Sequence, residues 1–216
     1  MEKRTVFTEA VTIACAAVCV IYRMAVPQSS SLIWIIAAAF VLSACGDLLI
    51  KSFTKNSAKT CPKKRIKNTS LIYGILFFLC AHVCFIIYIL LVNRAFSIII
   101  FMVTAVIFLI TFTAAYKKFL KPDGGKNMAA AVLVYILVSC FSLAAAVRPQ
   151  GMAITGWIYA AGIFSMIISD ILIAIQYVTA IWYPGKRQFN WLIMFFYLLS
   201  QVLITFSVIA GCHVFD

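Results

Sequence analysis

Acidic residues are scarce in this chain: six Asp and Glu stand among 216 residues, against eighteen Lys and Arg. Charged residues make up only 11% of the total and hydrophobic residues 65%. A soluble domain is nearer half apolar and a quarter charged, which argues against a water-soluble enzyme. Histidine is scarcer still, at two, which excludes a three-histidine zinc site. Prolines are few, and all of them (Pro27, Pro62, Pro122, Pro149 and Pro184) fall between apolar runs, where no helical hydrogen bond is lost.

What the chain has in abundance is long apolar runs, with a mean hydropathy of +1.08. A spanning helix takes about 20 such residues. Runs near 5–26, 31–50, 69–92, 95–116, 128–147, 152–178 and 191–211 predict seven spans. The fold expected is an all-α membrane helical bundle, a single transmembrane domain over 1–216 with no room for a separate soluble domain. The first run is interrupted by Glu9, with thirteen residues between it and Arg23. Short connections at Pro27–Ser30 and Asn93–Arg94 make consecutive helices antiparallel.

In a soluble chain a net charge of +12 would suggest nucleic acid. Here the basic residues sit between apolar runs, so they read as topology signals and no nucleic-acid partner is expected. Fifteen of them fall at the amino terminus and in the 51–68, 117–127 and 186–187 connections; only Arg23, Arg94 and Arg148 fall on the other side. That asymmetry predicts a cytoplasmic amino terminus and an outer carboxyl terminus, most simply in the cytoplasmic membrane of a bacterium. Glu2-Lys3-Arg4 before an apolar run resembles a signal peptide, but no small-x-small site is followed by a soluble mature chain. Leu42-Ser43-Ala44-Cys45 mimics a lipoprotein cleavage box inside the second span and is rejected on that ground.

Seven of the eight cysteines lie in apolar runs, Cys61 being the one in a connection, and they read as small hydrophobes. Cys80-Ala81-His82-Val83-Cys84 looks like a metal cluster when written out. On a helix residue 82 points about 200° away from 80 and 84, so the three cannot share an ion.

Glu9, Asp47 and Asp170 are the acids inside spans, and His82 is the mid-span histidine. An ionisable residue at such a position costs about 2.5–3.5 kcal/mol on insertion scales, which makes each a functional candidate. The alternative is a polar residue that pins helices together. The aspartates recur in near copies, Cys45-Gly46-Asp47-Leu48-Leu49-Ile50 and Ile168-Ser169-Asp170-Ile171-Leu172-Ile173. Asp47 lies 16 residues after Ser31 and Asp170 lies 16 after Ile154, both at the outer ends of spans running inward. One depth, a turn or two below the cytoplasmic surface, is therefore expected for both, and Gly46 permits close helix contact beside one of them. His82, about 20 Å into its span, is expected deeper. Gly74, Phe78 and His82 share a face at steps of four. Tyr197, Gln201 and Thr205 form a polar stripe, either interhelical glue or the wall of a cavity.

Together these residues resemble the YhhN-type lysoplasmalogenase family of integral membrane proteins. The matching motifs are Ser43-x-x-Gly46-Asp47, then Gly74…Phe77-Phe78…Ala81-His82…Tyr88. Gly162…Ser169-Asp170…Leu172 and Tyr197-x-x-Ser200-Gln201-x-Leu203-Ile204 follow in family order, so the likeness covers about 31–211. Members of the family generally have eight spans, and the first has no counterpart here. Thr8-Glu9 replaces a Lys-Pro pair, and Phe85 stands where many members have Tyr. The resemblance implies hydrolysis of the vinyl ether bond of lysoplasmalogens to a fatty aldehyde and a glycerophospho-base, with Asp47 and Asp170 catalytic and no cofactor. It implies that His82, Tyr197, Gln201, Glu9, Ser43, Gly46, Gly74, Phe78, Tyr88 and Ser169 line the cavity or position the lysophospholipid substrate.

The residues make that chemistry reasonable on separate grounds. Cleaving a vinyl ether requires protonation of the terminal alkene carbon and a negative charge facing the resulting oxocarbenium ion. Paired carboxyls in an apolar cavity divide these roles, as they do for the comparable cation in glycosidases. The basic 51–68 and 117–127 connections are candidates to hold the lipid phosphate. A rival reading is a proton-coupled transporter or channel, since paired intramembrane carboxylates also relay protons; neither Asp-bearing span, however, is broken by proline and no inverted repeat is visible. A rhodopsin is excluded because 191–211 holds no Lys for a Schiff base.

Overall fold

The structure, a computed structural model, describes residues 2–59, 69–93, 96–115, 125–147, 154–182 and 190–211. The described residues form seven α-helices and no strand: α1 (Glu2–Ala25), α2 (Ile33–Lys59), α3 (Thr69–Asn93), α4 (Ile98–Ala115), α5 (Gly125–Ala146), α6 (Ile154–Trp182) and α7 (Asn190–Gly211). Each coincides with one apolar run of the sequence. Thr8–Ala25, Ile72–Val92, Ile154–Ile173 and Trp191–Gly211 are long and apolar enough to cross a membrane, and α2, α4 and α5 carry shorter apolar stretches. The molecule is a helical membrane bundle.

Two helices run past their apolar runs. α2 continues to Lys59 and α6 to Trp182, since neither extension contains a Pro or Gly to break the helix. α4 starts late, at Ile98, where the Ser97 hydroxyl accepts the Ile100 N–H at 3.4 Å and serves as the N-cap. The Ser97 N–H itself donates to the Ala144 carbonyl at 3.2 Å, tying the start of α4 to the end of α5. Between α1 and α2, Pro27 sits in a turn closed by Ser29 N–H on the Val26 carbonyl at 2.9 Å, and Arg23 donates to the Pro27 carbonyl at 2.9 Å. The other four prolines and Cys61 lie outside the described residues.

Six helices close a ring. α1 packs on α2, α2 on α3, α3 on α5, α5 on α6, α6 on α7 and α7 back on α1. α4 stands outside it against α5, held by Phe141 stacked on Phe96 at 4.5 Å and edge-on to Phe101 at 5.9 Å. Burial is distributed as lipid demands. Ile99 is 73% exposed and Ile110 64% on the outer helix, while Thr12, Ser43, His82, Ser169, Ser200 and Gln201 are buried inside the ring. In a soluble protein an apolar surface of that extent would be a liability; against acyl chains it is the required face.

The tightest helix pairs, α2 with α3 and α6 with α7, are those where glycine faces the partner. A Cβ on Gly46 would lie 2.9 Å from Phe78 Cε2 and 3.3 Å from the Gly74 carbonyl oxygen. One on Gly162 would lie 2.7 Å from Ile204 Cγ1 and 3.2 Å from its backbone nitrogen. Farther from the basic connections the ring is filled by aromatics: Phe40 meets Phe85 edge-on at 5.9 Å, and Tyr88 lies 5.7 Å from Tyr159. The Tyr159 hydroxyl donates to the Phe85 carbonyl at 3.0 Å and links α6 to α3.

Candidate active site

Each ring helix contributes polar side chains to one interior cluster. Asp47 of α2 hydrogen-bonds Tyr197 of α7, and the Tyr197 hydroxyl accepts from Thr12 of α1 at 3.2 Å. Across the ring, Tyr135 of α5 donates to Asp170 Oδ2 of α6, and the Tyr135 oxygen lies 3.1 Å from His82 Nε2 of α3. His82 Nε2 is also 3.6 Å from Asp170 Oδ2, with the His82 side chain wholly buried and that of Asp170 11% exposed. The carboxyls of Asp47, Asp170 and Glu9 are within electrostatic range of one another through Asp47. Each aspartate thus has one tyrosine as its donor, and each tyrosine is in turn met by a residue of a third helix.

The helix register explains the convergence. Gly46 packs at the level of Gly74 and Phe78, so the His82 backbone lies a turn beyond them, deeper than Asp47, as the sequence predicts. Side chains tilt toward the amino-terminal end of their helix. α3 begins at the basic end of the bundle, whereas α2 and α6 begin at the opposite end, so His82 leans back and the aspartates lean forward. The expected offset in depth is closed by that tilt, and His82 meets Asp170 directly.

Several buried polar atoms of the cluster have no hydrogen-bond partner among the described residues: Ser43 Oγ, Asp47 Oδ2, His82 Nδ1 and both amide atoms of Gln201. Ser43 stands one turn from Asp47 on the same face of α2, and Gln201 one turn from Tyr197 on α7. An unpaired buried polar group costs about 1–3 kcal/mol, so five such atoms around two carboxyls mark a place built for water or a polar ligand.

The remaining sequence candidates fall around this cluster. Phe78 and Gly74 pack against Gly46. Ser169 is buried and donates to the Ile193 carbonyl of α7 at 3.2 Å, at the α6–α7 seam. Tyr88 lies in the aromatic layer with Tyr159, six residues or ~9 Å along α3 from His82. Cys80 is exposed and His82 buried, as their opposite helical faces require. The basic 60–68 and 117–124 segments lie outside the described residues.

Two residues of the cluster escape the sequence reading, Tyr135 and Thr12. A tyrosine in an apolar run is ordinary and carries no charge to betray it. The available signal is a stripe, Tyr135, Ser139 and Ser142 at steps of four and three, the same spacing that exposes Tyr197 and Gln201 on α7.

With that geometry in hand, comparison with protein-family models matches the chain to the YhhN family over residues 5–208. The chain belongs to the YhhN family. The matched region begins in α1 and so takes in Glu9 and Thr12, beyond the stretch that the sequence motifs cover. Comparisons with curated proteins and with solved structures give no match.

Proposed function

We propose that this YhhN-family member hydrolyses the vinyl ether bond of lysoplasmalogen-type lysophospholipids, with Asp47 as the proton donor and Asp170 as the facing anion. One observation carries the reading: two carboxyls in electrostatic range of each other, inside a closed ring of apolar helices, with Asp47 Oδ2 buried and without a hydrogen-bond partner among the described residues. Asp170 accepts from Tyr135 and faces His82, partners that suit a charge-bearing carboxylate. Asp47 keeps one oxygen for a reactant, which suits a donor.

Protonation of the alkene carbon by Asp47 yields an oxocarbenium ion, and Asp170 stabilises it across the cavity as fixed electrostatics in a water-poor site. The chemistry uses only a proton, a facing charge and water. A single-chain lipid fits the setting, since its vinyl ether lies just below the polar head and the carboxyls lie within the bundle near its basic end. Basic connections on the cytoplasmic side, in a bacterial cytoplasmic membrane, belong to the same proposal.

The test is incubation of detergent-solubilised protein with a lysoplasmalogen in the absence of any gradient, reading long-chain aldehyde. Aldehyde release, with no turnover of the saturated ether analogue, supports the reading. Absence of aldehyde, together with proton uptake in sealed vesicles under a pH gradient, would replace it with the proton-coupled transporter that paired carboxyls also suit.

A further inference from the structure

We infer that His82 is the base that takes the proton of the attacking water, through Nδ1, and that Tyr135 is the positioning residue that sets the tautomer this requires. The assignment rests on the hydrolytic reading above and identifies the group that completes it. A phenol has one proton to donate. Tyr135 donates its O–H to Asp170 Oδ2 in a hydrogen bond, so its oxygen is left to accept from His82 Nε2 at 3.1 Å. A neutral imidazole that donates through one nitrogen accepts through the other, which makes Nδ1 the acceptor. Nδ1 is buried, on a side chain with no exposed surface, and among the described residues no group donates to it. The ring plane is held by edge-on contacts with Tyr135 at 5.4 Å and Phe85 at 6.4 Å. A carboxylate, acting through a phenol, therefore fixes an imidazole with one nitrogen lone pair that no described residue's donor occupies. That is the tautomer control by which a histidine becomes a general base.

The proton balance closes. Asp47 gives its proton to the alkene carbon, and the vinyl ether becomes an oxocarbenium ion. The water oxygen bonds to the cationic carbon while one of its protons passes to His82 Nδ1, giving a neutral hemiacetal. The Asp47 carboxylate then removes the hemiacetal hydroxyl proton, and the bond from carbon to the glycerol oxygen breaks. The imidazolium returns its proton to that oxygen. The products are aldehyde and alcohol, and both residues end as they began.

With two histidines in the chain, His82 and His213, labelling with 15N-histidine gives two ring systems, and His213→Asn assigns them. His213 lies beyond the family-matched region 5–208. Wild-type protein in detergent is expected to show His82 protonated at Nε2 and bare at Nδ1. Tyr135→Phe should abolish that preference and lower kcat by about 10²-fold, with KM for the lysolipid held. A residue that merely supports the fold would move thermal stability and leave the tautomer alone. Nδ1–H in an active wild-type protein would mean the chain runs in reverse, from a protonated Asp170, and overturns the base assignment while the hydrolytic reading stands. Wild-type kcat in Tyr135→Phe overturns it equally. Should Tyr135→Phe not fold, the wild-type tautomer decides alone. A wild-type protein that releases no aldehyde defeats the hydrolytic reading, and the base role with it.

Discussion

Replacing Gly46 with alanine tests how closely α2 must approach α3 for the site to form. The new methyl would sit 2.9 Å and 3.0 Å from two carbons of the Phe78 ring and 3.3 Å from the Gly74 carbonyl oxygen. Carbon atoms in contact prefer ~3.5–4.0 Å, so the ring contact is short by roughly 0.6 Å or more. Phe78 is 4% exposed and buried in the core, and the Gly74 carbonyl belongs to a helix backbone. Neither yields without moving α2 relative to α3. Overpacking of this kind costs about 1–3 kcal/mol, against which alanine recovers about 0.8–1.0 kcal/mol of helix propensity. The net loss of stability is therefore small, about 0–2 kcal/mol.

The consequence for turnover should be larger, because Asp47 is the next residue. A displacement near 1 Å of a reacting group can cost about 10²-fold. Gly162→Ala is the matched control. Its methyl would meet Ile204 Cγ1 at 2.7 Å and the Ile204 nitrogen at 3.2 Å, an equal or worse clash, but Gly162 lies ~12 Å along α6 from Asp170. Gly46→Ala should thus lose turnover out of proportion to stability, and Gly162→Ala the reverse. Unfolding midpoints in detergent and aldehyde release measure the two quantities. Gly46→Ala with wild-type turnover would refute the claim that this contact positions Asp47.

Asp47→Asn and Asp170→Asn should each lower aldehyde release by about 10²–10⁴-fold while the protein still inserts, since Asn keeps the shape without the proton or the charge. Either variant retaining a tenth of wild-type turnover sinks the two-carboxyl mechanism. Tyr159→Phe removes the hydrogen bond to the Phe85 carbonyl and should lower stability by about 1 kcal/mol with turnover unchanged, because that bond reaches the Phe85 backbone and leaves the ring contact with His82 in place. For orientation, a membrane-impermeant thiol reagent on intact cells should leave Cys61 unmodified until the membrane is opened; ready labelling would invert the topology.

The bundle was legible because lipid simplifies the code: seven apolar runs became seven helices, and Pro27, the proline among the described residues, lies between two of them. The aspartates were legible because charge in a span is anomalous, and their near-identical surroundings led to the expectation that they share one level. Tyr135 and Thr12 were not, since a phenol or hydroxyl costs little to insert and advertises nothing. The ends of α2 and α6 were missed for a related reason. Hydropathy reports where lipid stops, whereas hydrogen bonding decides where a helix stops. The contact of His82 with Asp170 depends on side-chain tilt in antiparallel helices, which residue counting along one helix leaves out.

The placement of the polar links bears on enzyme against transporter. The two close-packed pairs, α2 with α3 and α6 with α7, are each locked by a glycine contact. Alternating access would rock such units against each other about the site. The polar links of the cluster run across that division: Asp47 of one pair hydrogen-bonds Tyr197 of the other, and His82 of one reaches Asp170 of the other through hydrogen bonds to Tyr135 and by a direct 3.6 Å contact. Rocking would break both links at once and strand buried carboxyls without donors, at about 1–3 kcal/mol or more for each group left unpaired. A reaction that needs two carboxyls held at fixed separation benefits from those same links. The cross-ties therefore favour the proposed hydrolase over the transporter: in that proposal the site inside the ring is rigid, and the lipid substrate, rather than the helices, is the component that moves.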